Sequence, residues 1–190
     1  MVRLVIGSVV GGFVQWLVGF LFWGTPLSGL AFKVAPEAQN AAVQTMLAQA
    51  LTPTGTGTYY VPWPDTPQGT VLHGRGPVAL IHFNTAGFPV MDTGAIVGGL
   101  ILSIVTIFLI GFALYAIADR VHDFTTRLRI VVLAAVATAL YFTLGQPAVN
   151  QYLPWGYFVY QFISQVAGLI AGGLVLARWF LPRAASPVLP

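Results

Sequence analysis

The sequence predicts a mainly α membrane protein: a four-transmembrane-helix bundle with a small α+β extracytoplasmic insertion between helices 1 and 2. Three observations lead there. Only 7% of the 190 residues are charged and 57% are apolar, whereas a soluble domain needs about 25% charged residues on its surface. Three runs, residues 4–32, 93–118 and 130–177, contain no Asp, Glu, Lys or Arg. Between the first two lies a segment, residues 24–92, that holds eight of the thirteen prolines.

A bilayer core of ~30 Å is crossed by about 20 helical residues. The first two runs each cross once, and the third crosses twice around "GQPAVNQYLPWG", whose prolines, Asn and Gln make a turn. The expected spans are therefore residues 2–23, 93–118, 130–149 and 156–181. The first apolar run exceeds the 7–15 residues of a signal-peptide core, so it is expected to be an anchor.

Basic residues set the orientation. With the N-terminus inside, Arg3, Arg120, Arg127, Arg129, Arg178 and Arg183 fall on the cytoplasmic side, and Lys33 and Arg75 on the other. Residues 119–129 then form a cytoplasmic turn and 182–190 a cytoplasmic tail. Trp23, Tyr152, Trp155 and Tyr157 mark the outer interface and Trp179 the inner one. The net charge of +3 reflects this topology, and nucleic-acid binding is not expected. There are no cysteines, so neither disulfides nor thiol chemistry arise.

The outer segment, residues 24–92, is too long for a simple connection. Residues 36–51 read as a helix with proline at its start. Val43, Met46, Leu47, Ala50 and Leu51 fall at i, i+3, i+4, i+7 and i+8, one apolar stripe. The stripe is expected to pack on the strands that follow; an interfacial helix is the other reading, and the lack of Lys or Arg argues against anionic lipid. Three short strands are expected at residues 58–63, 70–73 and 78–83, each rich in β-branched or aromatic residues and bounded by Gly and Pro, the last two joined by the turn "GRGP". In the third strand, Val78, Leu80 and His82 face one way and Ala79, Ile81 and Phe83 the other. Both faces are largely apolar, so both are expected to be covered. Val78, Leu80, His82, Ile81 and Phe83 thus form the candidate outer partner surface.

A zinc site built on His73 and His82 is disfavoured. In the expected hairpin His73 lies opposite Val78, which leaves about 13 Å along the strand to His82, too far for metal–nitrogen bonds of about 2 Å. No metal or other cofactor is expected.

No charged residue or histidine lies near the middle of a span, which argues against a coupled transporter and against a transmembrane haem. The small and polar residues are ordered instead. The first helix carries Ser8, Gly11 or Gly12, Gln15 and Gly19 at i, i+3/4, i+7 and i+11. The fourth carries Gln161, Ser164 or Gln165, Gly168 and Gly172 in the same pattern. The two helices run in opposite directions, and Gly11 and Gly172 each lie about 13 Å from an inner end. Packing between these helices is expected, with Gln15 and Gln165 hydrogen-bonded across; a homodimer seam or a lipid or quinone pocket are the alternatives. In the cytoplasmic turn, Asp123 and Arg127 have helical i, i+4 spacing, expected on a solvated hairpin tip.

The run "GGFVQWLVGFLFWGTPLSG", an apolar helix with spaced glycines ending in Phe-Trp-Gly and a proline, resembles small uncharacterised four-helix bacterial inner-membrane proteins. The likeness covers one helix. It implies a bacterial inner (cytoplasmic) membrane location and carries no residue roles.

The function expected from these features is non-catalytic: an accessory or assembly subunit of a larger membrane complex, of the respiratory or photosynthetic kind, with a membrane-protein partner or further copies of itself. The alternative is a small transporter or lipid/quinone-binding protein. A membrane enzyme using His82 with Asp65 or Asp92 ranks third.

Overall fold

The structure is a computed structural model that describes residues 1–181. The expected tail at 182–190, with Arg183, lies outside the described residues. In chain order the elements are α1 (Val2–Trp23), α2 (Glu37–Leu51), β1 (Gly57–Val61), α3 (Pro67–Arg75), β2 (Ala79–Phe83), α4 (Thr93–Ala116), α5 (Phe124–Ala139), α6 (Gly145–Val149) and α7 (Trp155–Trp179). Turns of 3-10 helix occupy Pro26–Leu30 and Thr52–Thr54, and a π-helical turn, Leu140–Leu144, joins α5 to α6. The described chain is mostly helical, and four helices are long and apolar enough to cross a membrane: Val2–Trp23, Thr93–Ala116, Phe124–Val149 and Trp155–Trp179. It divides into two compact units. One comprises, of the described residues, Met1–Phe32 and 93–181; the other is Lys33–Asp92.

In the membrane unit α1 packs between α4 and α7, and α5 packs on α7. The core of Leu4, Ile107, Leu114, Val131, Leu176 and Ala177 draws mainly on the start of α1, the end of α4, the start of α5 and the end of α7. It therefore fills the end of the bundle where the N-terminus lies. Outward faces are apolar: Val5, Phe13, Ile101, Leu102, Leu109 and Leu133 are all exposed. A bundle apolar on its outside needs hydrocarbon around it.

The third span starts earlier than expected, at Phe124 and not at residue 130. Asp123 is the reason, because its carboxylate accepts a 2.7 Å bond from the Thr126 N–H and caps α5. That bond lowers the Asp123 pKa, helped by the Thr126 hydroxyl. The expected solvated Asp123–Arg127 hairpin tip is corrected accordingly. Arg127 is only 2% exposed, and its Nε donates to the Val121 carbonyl at 2.9 Å.

Further along this span the helix widens. Pro147 has no N–H, and in a regular helix its ring would meet the carbonyl four residues back, at Thr143. The chain makes a π turn at Leu140–Leu144 instead, with Gly145 N–H reaching the Leu140 carbonyl. Pro147 and Thr143 are both buried, and the Thr143 hydroxyl donates to the Ala139 carbonyl.

In the second unit β1 and β2 are antiparallel, pairing Gly57 with Phe83, Thr58 with His82, Tyr59 with Ile81, Tyr60 with Leu80 and Val61 with Ala79. The expected strand at 70–73 is instead part of α3. The Thr66 hydroxyl accepts from Gly69 N–H at 2.9 Å, and proline occupies the first turn, a start signal that outweighs the β-propensity of Thr70 and Val71. Gly69 is tied to this turn: a Cβ there would lie 1.8 Å from the Trp63 carbonyl oxygen. His73 and Arg75 occupy the last turn, and Gly76, at φ +69°, closes the helix. "GRGP" is thus a helix C-cap and not a hairpin turn.

Two packing expectations are also corrected. α2 does not pack on the strands: its side chains are exposed apart from half-buried Leu47 and Leu51. β2 is not covered on both faces, since Ile81 and Phe83 are half-buried while Leu80 and His82 are exposed. Tyr59, whose ring meets Phe83 at 6.3 Å between centroids, shields the first face.

Candidate functional site

Of the residues singled out for function, Gly11, Gly12, Gln15, Gly168 and Gly172 lie where α1 meets its neighbours, while Val78, Leu80, Ile81, His82 and Phe83 belong to the second unit. α1 and α7 touch through backbone at Gly11 and Gly172: a Cβ on either would stand 2.7 Å from the other's carbonyl oxygen. On its adjacent face Gly12 meets α4, where a Cβ would lie 2.5 Å from Ile104 Cα. Only glycine permits both approaches, so α1 is held against two neighbours at one level.

One turn toward Trp23 the seam opens. At Gly168 a Cβ would find Gln15 Cγ and the Gln15 carbonyl oxygen at 3.5 Å, ordinary contact. Gln15 therefore lies over Gly168, but its Oε1 is buried and makes no hydrogen bond among the described residues. The expected Gln15–Gln165 bond across the seam is not formed, because Gln165 sits on the exposed side of α7, with Gln161 half-buried one turn away. Ser8 turns inward to its own helix, donating to the Leu4 carbonyl at 2.8 Å. At Gly19 nothing lies within 4 Å of a Cβ, so that glycine belongs to no close contact. The structure thus brings together Gly11, Gly12, Gln15, Gly168 and Gly172, leaves Gly19 outside, and puts Gln161 and Gln165 on the flank.

Beyond the stripe an aromatic clamp closes the end of the seam. Trp23 Nε1 donates to buried Ser164 Oγ at 2.9 Å, and the Tyr160 hydroxyl donates to the Phe22 carbonyl at 2.6 Å. The Trp23 ring stands edge-on to Tyr160 at 5.1 Å and contacts Tyr157 and Phe32 at 5.9 and 6.1 Å. Of these aromatics the sequence points only to Trp23 and Tyr157, as part of an interface belt; Tyr160 and Phe32 are not singled out by it. The usable signal was Ser164, a hydroxyl on the small-residue face of α7 that needs a donor or acceptor in an apolar span.

The opposite end of this unit has an open cleft of about 380 Å³ lined by Met1, Val2, Arg3, Leu4, Tyr115 and Phe180. Nearby, the Arg178 guanidinium lies 5.5 Å from the Phe124 ring centroid, a cation–π contact. In the second unit each histidine has a neutral partner: His73 Nε2 and the Tyr60 hydroxyl are 2.8 Å apart, and His82 Nδ1 and the Thr58 hydroxyl 3.1 Å. Among the described residues no three His, Asp or Glu converge as metal ligands.

Comparison with known protein families, curated proteins and solved structures returned no match.

Proposed function

We propose that this protein is a non-catalytic, multi-pass membrane subunit that assists or assembles a larger membrane complex, docking on a partner membrane protein through the Gln161/Gln165 flank of α7. Exposed Gln165 carries the reading. It lies ten residues into a 25-residue span, about 15 Å below its outer end, where hydrocarbon satisfies no amide. A polar group on a partner helix does. Respiratory and photosynthetic complexes offer partners of this kind, and a second copy of the chain is the homomeric version. The basic residues favour both termini in the cytoplasm of a bacterium, with Lys33–Asp92 outside.

Purification from native membranes in mild detergent tests the reading. The wild type should elute with one partner in fixed stoichiometry, and Gln165→Leu should release it. A wild type that elutes alone contradicts the proposal.

A second reading rests on the buried, unbonded Gln15 oxygen: a hydroxyl of a lipid headgroup or of a reduced quinone (quinol) donates to it. A monomer that retains one lipid-like molecule, lost in Gln15→Leu, supports that reading over the first.

A further inference from the structure

The cleft at the Arg3 end of the membrane unit is built by three helices. The start of α1 gives it Met1, Val2, Arg3 and Leu4, the end of α4 gives Tyr115, and Phe180 follows α7 directly. Two of these residues are held firmly. Leu4 is part of the core, and Phe180 lies against Gly7, where a Cβ would stand 2.5 Å from the Phe180 Cβ. The volume of about 380 Å³ falls in the range of small-molecule sites, about 300–1,000 Å³. Apart from Arg3 and Tyr115 the lining side chains are apolar. The Arg3 guanidinium and the Tyr115 hydroxyl make no hydrogen bond or ion pair among the described residues, so both are available to a ligand.

We infer that this cleft binds the headgroup of an anionic phospholipid, with Arg3 and Tyr115 on the phosphate and Val2, Leu4 and Phe180 against the glycerol and the first acyl carbons. Chemistry is the first ground. A guanidinium takes two phosphate oxygens in a forked pair, and a phenol hydroxyl donates to a third. The apolar lining offers a free, hydrated anion nothing, but it suits a molecule charged at one end and hydrocarbon at the other. Position is the second ground. The cleft lies at the ends of three helices long and apolar enough to cross a membrane, where a bilayer places its headgroups. Charge is the third. At this end Arg3, residues 119–129 and Arg178 together hold five arginines and two aspartates, an excess that attracts anionic over zwitterionic lipid. The inference rests on the four-span topology and is independent of the Gln165 partner.

The full chain, purified in mild detergent, is titrated with phosphatidylglycerol or with phosphatidylcholine, and bound lipid is counted by native mass spectrometry. Wild type should retain one phosphatidylglycerol per chain, several-fold more readily than phosphatidylcholine. Arg3→Gln and Tyr115→Phe should each lower that retention several-fold. Both side chains are exposed, so the variants should keep the fold, which melting without added lipid checks. Arg129→Gln removes an equal charge from an exposed residue outside the cleft and should change retention little. Equal retention of the two lipids overturns the anionic assignment. Unchanged retention in Arg3→Gln, or the same loss in Arg3→Gln and Arg129→Gln, overturns the cleft as the site. Inorganic phosphate that raises the melting temperature as much as phosphatidylglycerol does, with the effect lost in Arg3→Gln, makes the ligand a free anion and overturns the lipid.

Discussion

At the scale of single residues, the account turns on which glycines are held by a neighbour's backbone. Gly172 faces the Gly11 carbonyl at 2.7 Å, while Gly19 faces open space. Replacing Gly172 by Leu forces the helices apart, because the Gly11 carbonyl it would meet is backbone and cannot swing aside as the Ile107 side chain can. Overpacking of this kind costs about 1–3 kcal/mol or more. We expect Gly172→Leu to lower the melting temperature in detergent clearly and Gly19→Leu to leave it nearly unchanged; equal melting of the two would refute the assignment. Asp123 gives a pH-dependent counterpart. Its folded pKa is lowered by the Thr126 N–H, so its cap contributes fully above the ordinary carboxylate value of about 3.9. The contribution fades as pH falls through the lower folded value. Asp123→Ala should therefore melt earlier than wild type at neutral pH, with the gap closing in acid. The small-residue spacing already put Gly11 and Gly172 at one depth, since both are countable from helix ends. The side to which Gln165 points was not legible, because a Gln at stripe spacing serves equally well inside or outside a seam. Arg127 was hidden for a related reason: its burial depends on the Val121 carbonyl that α5 brings to it, and no local pattern encodes that meeting.

At the scale of elements, the spans were legible because charge is what a bilayer excludes, and uncharged runs longer than 20 residues have few other uses. Their ends were less so. α5 begins at Phe124 because a capping carboxylate stops the turn before it, and the basic residues that follow looked like loop. In the second unit, a threonine cap followed by proline makes 67–75 a helix although Thr70 and Val71 favour strands, so the two strands that pair are β1 and β2. The Trp23 end of the α1–α7 contact is fixed by the Trp23–Ser164 and Tyr160–Phe22 bonds. Tyr160→Phe removes one bond from a largely buried hydroxyl, and about 1 kcal/mol should be lost. Trp23→Ala removes the indole's packing as well and should cost more, about 3–5 kcal/mol if it behaves as a buried aromatic. Thermal melting of the two variants checks that order.

At the scale of the whole molecule, an apolar exterior around α1, α4, α5 and α7 calls for a membrane, and the proposed orientation puts Lys33–Asp92 outside. A cysteine in place of Gln49 should react with a membrane-impermeant maleimide on intact cells, and one in place of Thr125 only after the membrane is opened. The reverse pattern would invert the topology and put the outer unit inside. On the proposal that a partner protein docks on this chain, the mid-span glutamines are where the contact is made. The most direct measurement replaces Gln165 by a photoreactive side chain in native membranes, with Leu102, an exposed residue of α4, as the reference position. The account predicts a single protein adduct of defined mass from position 165 and none from 102. Adducts to lipid alone from both positions would contradict it.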